Sequence, residues 1–398
     1  MNASSPTLPV TSVAEMPVAS SRAAALPWYC YALVLGAACI PIGAIWDISW
    51  HLTIGRDTFW TPAHIMIYLG GTVPGCVCGW LVLKNTFWST PGEQAATVRL
   101  WGFRGPIGAW VTIWGAFVML LAAPFDDWWH NAYGLDVEIL SPPHTVLALG
   151  MYAVAIGALI FMVSWRNRHP SQWHSAASLL FMFACGVLVT MLAIFLTEYT
   201  YPNHMHGGLF YMVMCAAFPL YLIIAARASN LRWAATGASL GYMLITLALI
   251  WILPLFRAQP GLAPIYNPVT HMVPPPFPFL LIVPALGIDL VFRFFGQRRG
   301  FWRDTGLAVL CGLVFFALLI AVQWPFATFL LSPASRNAFF AGNAMWGYNA
   351  NLGDWCTRFW NQANDPFTRK AALLAIGFGV LQSRIALGFA NWLAAVKR

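Results

Sequence analysis

Ten apolar runs, each about long enough to cross a bilayer, leave this chain few possible folds. They lie near 28–46, 62–83, 106–124, 142–164, 176–197, 207–226, 233–254, 277–294, 304–325 and 371–395. A hydrocarbon core of about 30 Å needs about 20 residues of helix, and backbone groups in lipid must be satisfied within the segment. The expectation is therefore an all-α, polytopic transmembrane helical bundle of about ten spans. Only 9% of the residues are charged, against about 25% in soluble domains. The formal charge of +8 does not imply nucleic acid, because the basic residues are scattered through short loops. The partner it implies is the lipid bilayer. Residues 1–26 are rich in Ser, Ala and Pro and read as a disordered cytoplasmic tail, and 27–398 as a single integral membrane domain.

Loop charge orients the bundle. Most Lys and Arg, including Lys84, Arg99, Arg104, Arg166, Arg227 and Arg303, fall in loops after even-numbered spans or at the termini. Positive-inside bias then places both termini in the cytoplasm of an inner-membrane, multi-pass protein. Every histidine except His169 and His174 falls on the opposite, outer face, together with most of the acids. The bias concerns Lys and Arg and does not predict this sorting, so the outer end reads as a chemical site. Of the eight cysteines only Cys356 lies in a long loop. They read as packing residues, without a disulfide framework.

Within that outer set one stretch stands out: Trp46 to Tyr68, which reads WDISWHLTIGRDTFWTPAHIMIY. Asp47 and His51 are one helical turn apart at the end of the first span, and His64 follows Pro62 at the start of the second. The loop Gly55-Arg56-Asp57-Thr58 closes a hairpin that brings the three side chains to one level. A carboxylate and two imidazoles form a metal-ligand set, with Asp57 placed to orient an imidazole or cap the turn.

The pattern recurs. Asp126, His130, Gly134 and Asp136 each stand 79 residues after Asp47, His51, Gly55 and Asp57, and Pro142 and His144 stand 80 after Pro62 and His64. The expectation is a tandem repeat of helical hairpins, about 28–83 and 106–164, with Asp126, His130 and His144 as a second metal set and Asp136 beside it. A looser third turn carries Glu198, His204, Met205 and His206, with a thioether suited to Cu(I). A fourth carries His271 before Pro274-Pro275-Pro276, an extended segment expected to roof a cavity. These groups are candidates to line the same cavity or support the ligands. The outer loop 326–367 is long enough to act as a lid or docking surface. Asp289 and Arg384 lie inside apolar runs and are candidates for an intramembrane ion pair.

The composite D-x3-H-x12-H, with Trp50-His51, Arg56-Asp57-Thr58, Thr61-Pro62 and His64-Ile65 at fixed offsets, resembles the C subunit of copper membrane monooxygenases, the particulate methane and ammonia monooxygenases. The resemblance implies that Asp47, His51 and His64 ligate copper within the membrane. It further implies O2-dependent oxidation of a small apolar substrate and monooxygenase-like partner subunits, or a homo-oligomer in their place. The second copy lacks the Arg and Thr equivalent to Arg56 and Thr58. The donor set itself also suits zinc or iron. Two further classes stay open. One is a non-catalytic protein that acquires or hands on copper at the outer face. The other is a cation- or proton-coupled transporter, which predicts ionisable residues along a pathway through the membrane, whereas here they crowd at one end.

Overall fold

The computed structural model describes residues 26–134, 141–170, 175–229, 231–296, 299–351, 353 and 360–397. The N-terminal tail up to residue 25, and with it Asp136, His174 and Cys356, lies outside the described residues. Nine of the described helices are long and apolar enough to cross a membrane. In chain order they are α1 (Trp28–Thr53), α2 (Pro62–Phe87), α4 (Ile107–Tyr133), α5 (Pro142–Arg168), α6 (Ser175–Phe195), the pair α7 (Gly208–Ala217) and α8 (Pro219–Ser229), α9 (Ala234–Ile252), α11 (Phe301–Leu330) and α12 (Arg369–Leu393). This is a helical membrane bundle with almost no strand.

Short elements bridge α2 and α4. A five-residue helix α3 (Pro91–Ala95) opens with a capping box between Thr90 and Glu93. It leads into a two-stranded hairpin of β1 (Val98–Leu100) and β2 (Phe103–Gly105). Its two central residues, Trp101 and Gly102, both have positive φ, which matches the right-handed twist of the flanking strands. Three-residue strands are too short to register as alternation in the sequence.

Two helical hairpins, α1–α2 and α4–α5, hold the sequence motif at their tips. Each pair is joined by small residues that let backbones meet, as expected where lipid removes the hydrophobic drive for association. A Cβ placed on Gly43 in α1 would meet Ile67 N at 2.9 Å, and one on Gly115 in α4 would meet Val154 N at 2.7 Å. The hairpins lie side by side through α2 and α4, and α1 also packs on α5 and α6.

The expected span at 277–294 is not one helix. Only α10 (Ile282–Phe295) is helical, and residues 274–280 run extended with Phe277 and Phe279 buried. Extended backbone inside an apolar bundle is costly unless its donors are met. Here Pro274, Pro275, Pro276 and Pro278 carry no N–H. Val273 N donates to Thr53 Oγ1, Phe279 N to the Tyr242 hydroxyl and Leu280 N to Gln323 Oε1. The expected extended segment at Pro274–Pro276 therefore continues to residue 280, and the start of the run 277–294 is extended by hydrogen-bond supply.

The expected Asp289–Arg384 ion pair does not form. Asp289, 2% exposed, accepts hydrogen bonds from Ala235 N, Thr236 N and Thr236 Oγ1 at the start of α9. It therefore satisfies the orphan donors of a helix N-terminus. Arg384 instead lies over the Phe301 ring, 5.1 Å from its centroid. Among the described residues the buried Arg–carboxylate pair is Arg227 Nη2 to Asp304 Oδ1 at 3.1 Å, with Asn391 bridging both side chains.

Candidate metal centre

The tip of the first hairpin is built by its own helix ends and held by loops from far along the chain. A helix end leaves carbonyls without partners. At the end of α1 these are taken by Trp50 O accepting from Ile54 and Gly55 N, Leu52 O from Tyr348 N, and Ile54 O from Gly261 N. Gly55 has φ +85°, and a Cβ there would collide with the Tyr348 hydroxyl. The loop after α11 thus docks on this tip. That helix runs on to Leu330, so the connecting loop begins later than the expected 326. Trp50 Nε1 donates to Arg56 O at 2.9 Å, which folds the turn back over the helix.

Four side chains converge there. His64 Nε2 stands 3.1 Å from Asp47 Oδ1 and 3.4 Å from Asp57 Oδ2. His51 Nε2 stands 3.6 Å from Asp57 Oδ2 and 3.8 Å from Asp47 Oδ2. Asp57 is therefore a direct member of the cluster, where its place in the turn had suggested a supporting role. His64 is 17% exposed and His51 44%, so the cluster is half open on its His51 side. The ring of His64 is fixed by Nδ1 against Thr58 O at 2.9 Å. A carbonyl only accepts, so Nδ1 carries a proton. In the singly protonated ring Nε2 then offers a lone pair to the carboxylates. Asp47 Oδ1 is buried and has no hydrogen-bond donor. A lone pair facing carboxylate oxygens calls for a cation between them, either a second proton or a metal.

The second hairpin tip repeats the pairing of both imidazoles with the helix carboxylate. His144 Nε2 stands 3.3 Å from Asp126 Oδ1, and His130 Nε2 3.6 Å from Asp126 Oδ2. His130 Nδ1 lies 3.3 Å from Gly134 O. Gly134 caps α4 with φ 91°, as Gly55 follows α1 with φ 85°. Ser141 caps α5 by accepting from His144 N, with Pro142 at the first helical position, where its missing N–H is no loss. Asp136, the counterpart of Asp57, lies outside the described residues.

These distances discriminate between two packings. Charge-assisted N–H···O bonds are about 2.7–2.9 Å. Two donor atoms each about 2.1 Å from a tetrahedral ion stand about 3.4 Å apart. The His–carboxylate separations, 3.1 to 3.8 Å, are longer than such bonds and bracket the second value. Among the described residues two groups of His and carboxylate atoms are close enough to share an ion, Asp47 with Asp57 and His64, and Asp126 with His130 and His144.

The remaining candidates go elsewhere. Glu198 is exposed, and His271 lies beside Thr270 Oγ1 in a short bridge with Arg257. His206 is buried against α11, with Nε2 3.0 Å from Thr328 Oγ1 and its ring edge-on to Trp324. Burial holds its pKa below the ordinary imidazole value. Met205 Sδ accepts from Gln323 Nε2 at 3.0 Å, so the thioether supports the fold of the bundle. His204 joins neither group. The turn from α6 to α7 winds as two short 3-10 helices, the second of which packs on α11, which draws these side chains away from the hairpin tips.

Sequence reading missed Tyr68 and Tyr348. The Tyr68 ring lies 6.2 Å from that of His64, and its hydroxyl donates to Phe59 O. Tyr68 lies on α2, which packs beside α4, so the two tips are neighbours. Its position one turn after His64 was the available signal. Tyr348 gave none, since its role depends on a distant loop. Compared with known proteins, the chain matches no family model, no curated relative and no solved structure.

Proposed function

We propose that this integral membrane protein holds one transition-metal ion at each of its first two hairpin tips. The ligands are Asp47, Asp57 and His64 at one tip and Asp126, His130 and His144 at the other, while His51, expected as a ligand, stands outside the first group, beside its carboxylates on the open side. The observation that carries the reading is the convergence, at each tip, of three His and carboxylate ligand atoms within 4.8 Å of one another. The shared atom pairs, the 79-residue offset and the matching glycines support descent of the two hairpins from one duplicated unit. The loop-charge asymmetry puts both tips at the outer face of an inner membrane, with ten crossings when the extended segment and α10 count as one.

Imidazoles with carboxylates do not by themselves choose among copper, zinc and iron. Copper is favoured by the resemblance of Trp46–Tyr68 to the copper membrane monooxygenase C subunit. A copper ion bound there supplies O2 activation, and the resemblance extends the reading to oxidation of a small apolar substrate. The chain's own contribution is positional: Thr58 O fixes the His64 tautomer and Asp57 bridges both imidazoles. A second reading, acquisition and transfer of the metal, is favoured by the openness of the His51 side, which lets an ion enter and leave from water. The test is metal analysis of protein purified in native lipid, followed by O2 uptake with small hydrocarbons and ammonia. Two equivalents of copper with substrate-dependent O2 uptake support the oxygenase, and copper without uptake supports transfer. A metal-free protein that fails to take up any transition metal refutes both.

A further inference from the structure

Arg384 starts inside the apolar run of α12 and has no acid to neutralise it. Among the described residues it makes no ion pair and no hydrogen bond, and its guanidinium lies 5.1 Å from the centre of the Phe301 ring. An unpaired cation in a span is expensive where it meets hydrocarbon, so its depth decides what it needs. Helices α11 and α12 pack antiparallel. A Cβ on Gly312 would meet Val380 N at 2.6 Å, and Asn391 Nδ2 donates to Asp304 Oδ2 at 2.7 Å. Arg384, four residues beyond Val380, is therefore roughly level with Ala308, four before Gly312. Phe301 lies seven residues nearer the start of α11, about 10 Å at 1.5 Å per residue. Cα–Cβ bonds tilt toward a helix's N-terminus, which on α12 is the opposite direction. The Arg384 side chain thus turns back along α11 to reach Phe301. It passes Gly388, where a Cβ would stand 3.8 Å from Nη1. The side chain snorkels.

Its destination is the headgroup layer. The 30 residues of α11 span about 45 Å, the thickness of a bilayer with its headgroups. Phe301 and Trp302, the latter 82% exposed, stand at the first turn of that helix, at the end of the bundle opposite the hairpin tips. Aromatic side chains are common at this level of a membrane. The surface beside the guanidinium faces lipid, because Leu381, Ile385 and Gly388 are exposed and share one face of α12 at i, i+4 and i+7. The local charge is positive. Arg299 and Arg303 are exposed, and the acid of the first turn, Asp304, is buried against Arg227 and Asn391. A guanidinium is a planar fork of donors that fits phosphate. The headgroup layer supplies that phosphate, and an acyl chain below it meets the exposed stripe of α12. On the orientation proposed from loop charge this is the cytoplasmic leaflet, whose surface potential is negative.

We propose that the seam of α11 and α12 at Arg384, Gly388 and Phe301 is a binding site for the phosphate of an anionic phospholipid. The proposal does not depend on the metal reading. The probe is palmitoyl-oleoyl phosphatidylglycerol, titrated onto the delipidated full-length protein in detergent and read by native mass spectrometry. One lipid should bind more tightly than the rest. Arg384→Gln should weaken that site by roughly ten- to a hundred-fold, the worth of hydrogen bonds to a charged group, and Phe301→Leu by about two- to five-fold. Gly388→Leu, which keeps the guanidinium and fills its path, should also weaken it. The melting temperature of Arg384→Gln in lipid-free detergent should match the wild type, which separates lost lipid from a lost fold. The phosphatidylethanolamine of the same chains, whose ammonium opposes the local charge, should bind the site less tightly, and inorganic phosphate should not displace the lipid. Unchanged phosphatidylglycerol affinity in both Arg384→Gln and Gly388→Leu overturns the site. Displacement by inorganic phosphate overturns the lipid assignment, and equal binding of the two lipids overturns the anionic preference. An Arg384-dependent dimer in place of bound lipid assigns the guanidinium to a second copy of the chain and overturns the proposal.

Discussion

Replacement of His64 by alanine is the sharpest test of the metal centre. His64 Nε2 is the nitrogen nearest to both carboxylates, at 3.1 and 3.4 Å. Four-ligand sites of this kind bind Zn²⁺ with about 10–16 kcal/mol, or about 3 kcal/mol per ligand. At 1.4 kcal/mol per decade, His64→Ala should weaken the first site by roughly 10²–10³-fold. Chelator competition on protein in nanodiscs reads this directly, with the second hairpin as an internal reference that keeps its affinity. Asp57→Asn supplies the complementary sign. In the metal-free protein it removes one of two carboxylates facing a single imidazole nitrogen, so apoprotein stability should hold or rise. The stabilisation gained on adding metal should shrink, from about 4 to about 1.4 kcal/mol at a metal concentration 1,000 times the wild-type dissociation constant, if affinity falls 100-fold. Unchanged affinity in His64→Ala, with the full metal stoichiometry retained, would falsify the assignment. A large loss of metal-free stability in Asp57→Asn would show instead that the cluster is a proton-bridged structural network.

Other outcomes follow from the same structure. His144→Ala should remove one metal equivalent and leave the first, and combination with His64→Ala should leave none, read by elemental analysis. Asp289→Ala removes three hydrogen bonds from the start of α9 and should cost about 2–4 kcal/mol, while Arg384→Ala should stay within about 0.5 kcal/mol; equal losses on thermal unfolding would restore the ion pair. Burial lowers the His206 pKa, so its neutral form contributes stability above about pH 6.5, the unfolded value, and loses it as pH falls toward the depressed folded value. His206→Gln should flatten the drop in melting temperature between pH 7 and pH 5, and an identical pH profile would contradict this. Cysteines placed at Gly92 and Asn349, both exposed, should differ in reaction with an impermeant reagent on intact cells, with only Asn349 labelled. Equal labelling would overturn the orientation.

Much of this protein was legible along the chain because its strongest constraints are local. Long apolar runs force helices wherever backbone hydrogen bonds cannot reach water, and i,i+4 spacing puts Asp47 beside His51 in any helix. Proline at a first helical turn places His64 and His144 at hairpin entrances without tertiary information. What only the tertiary structure decided depends on partners far apart in sequence. Asp57 joined the ligands because the turn closes under Trp50 and Tyr348, and the second of these comes from nearly 300 residues away. Residues 277–280 left the expected helix because Tyr242 and Gln323 supply the donors of Phe279 and Leu280 with acceptors. Asp289 capped α9 where charge pairing alone had suggested Arg384. Hydropathy reports how costly water exposure would be for a segment, and says nothing of which hydrogen-bonding group another segment will bring to it.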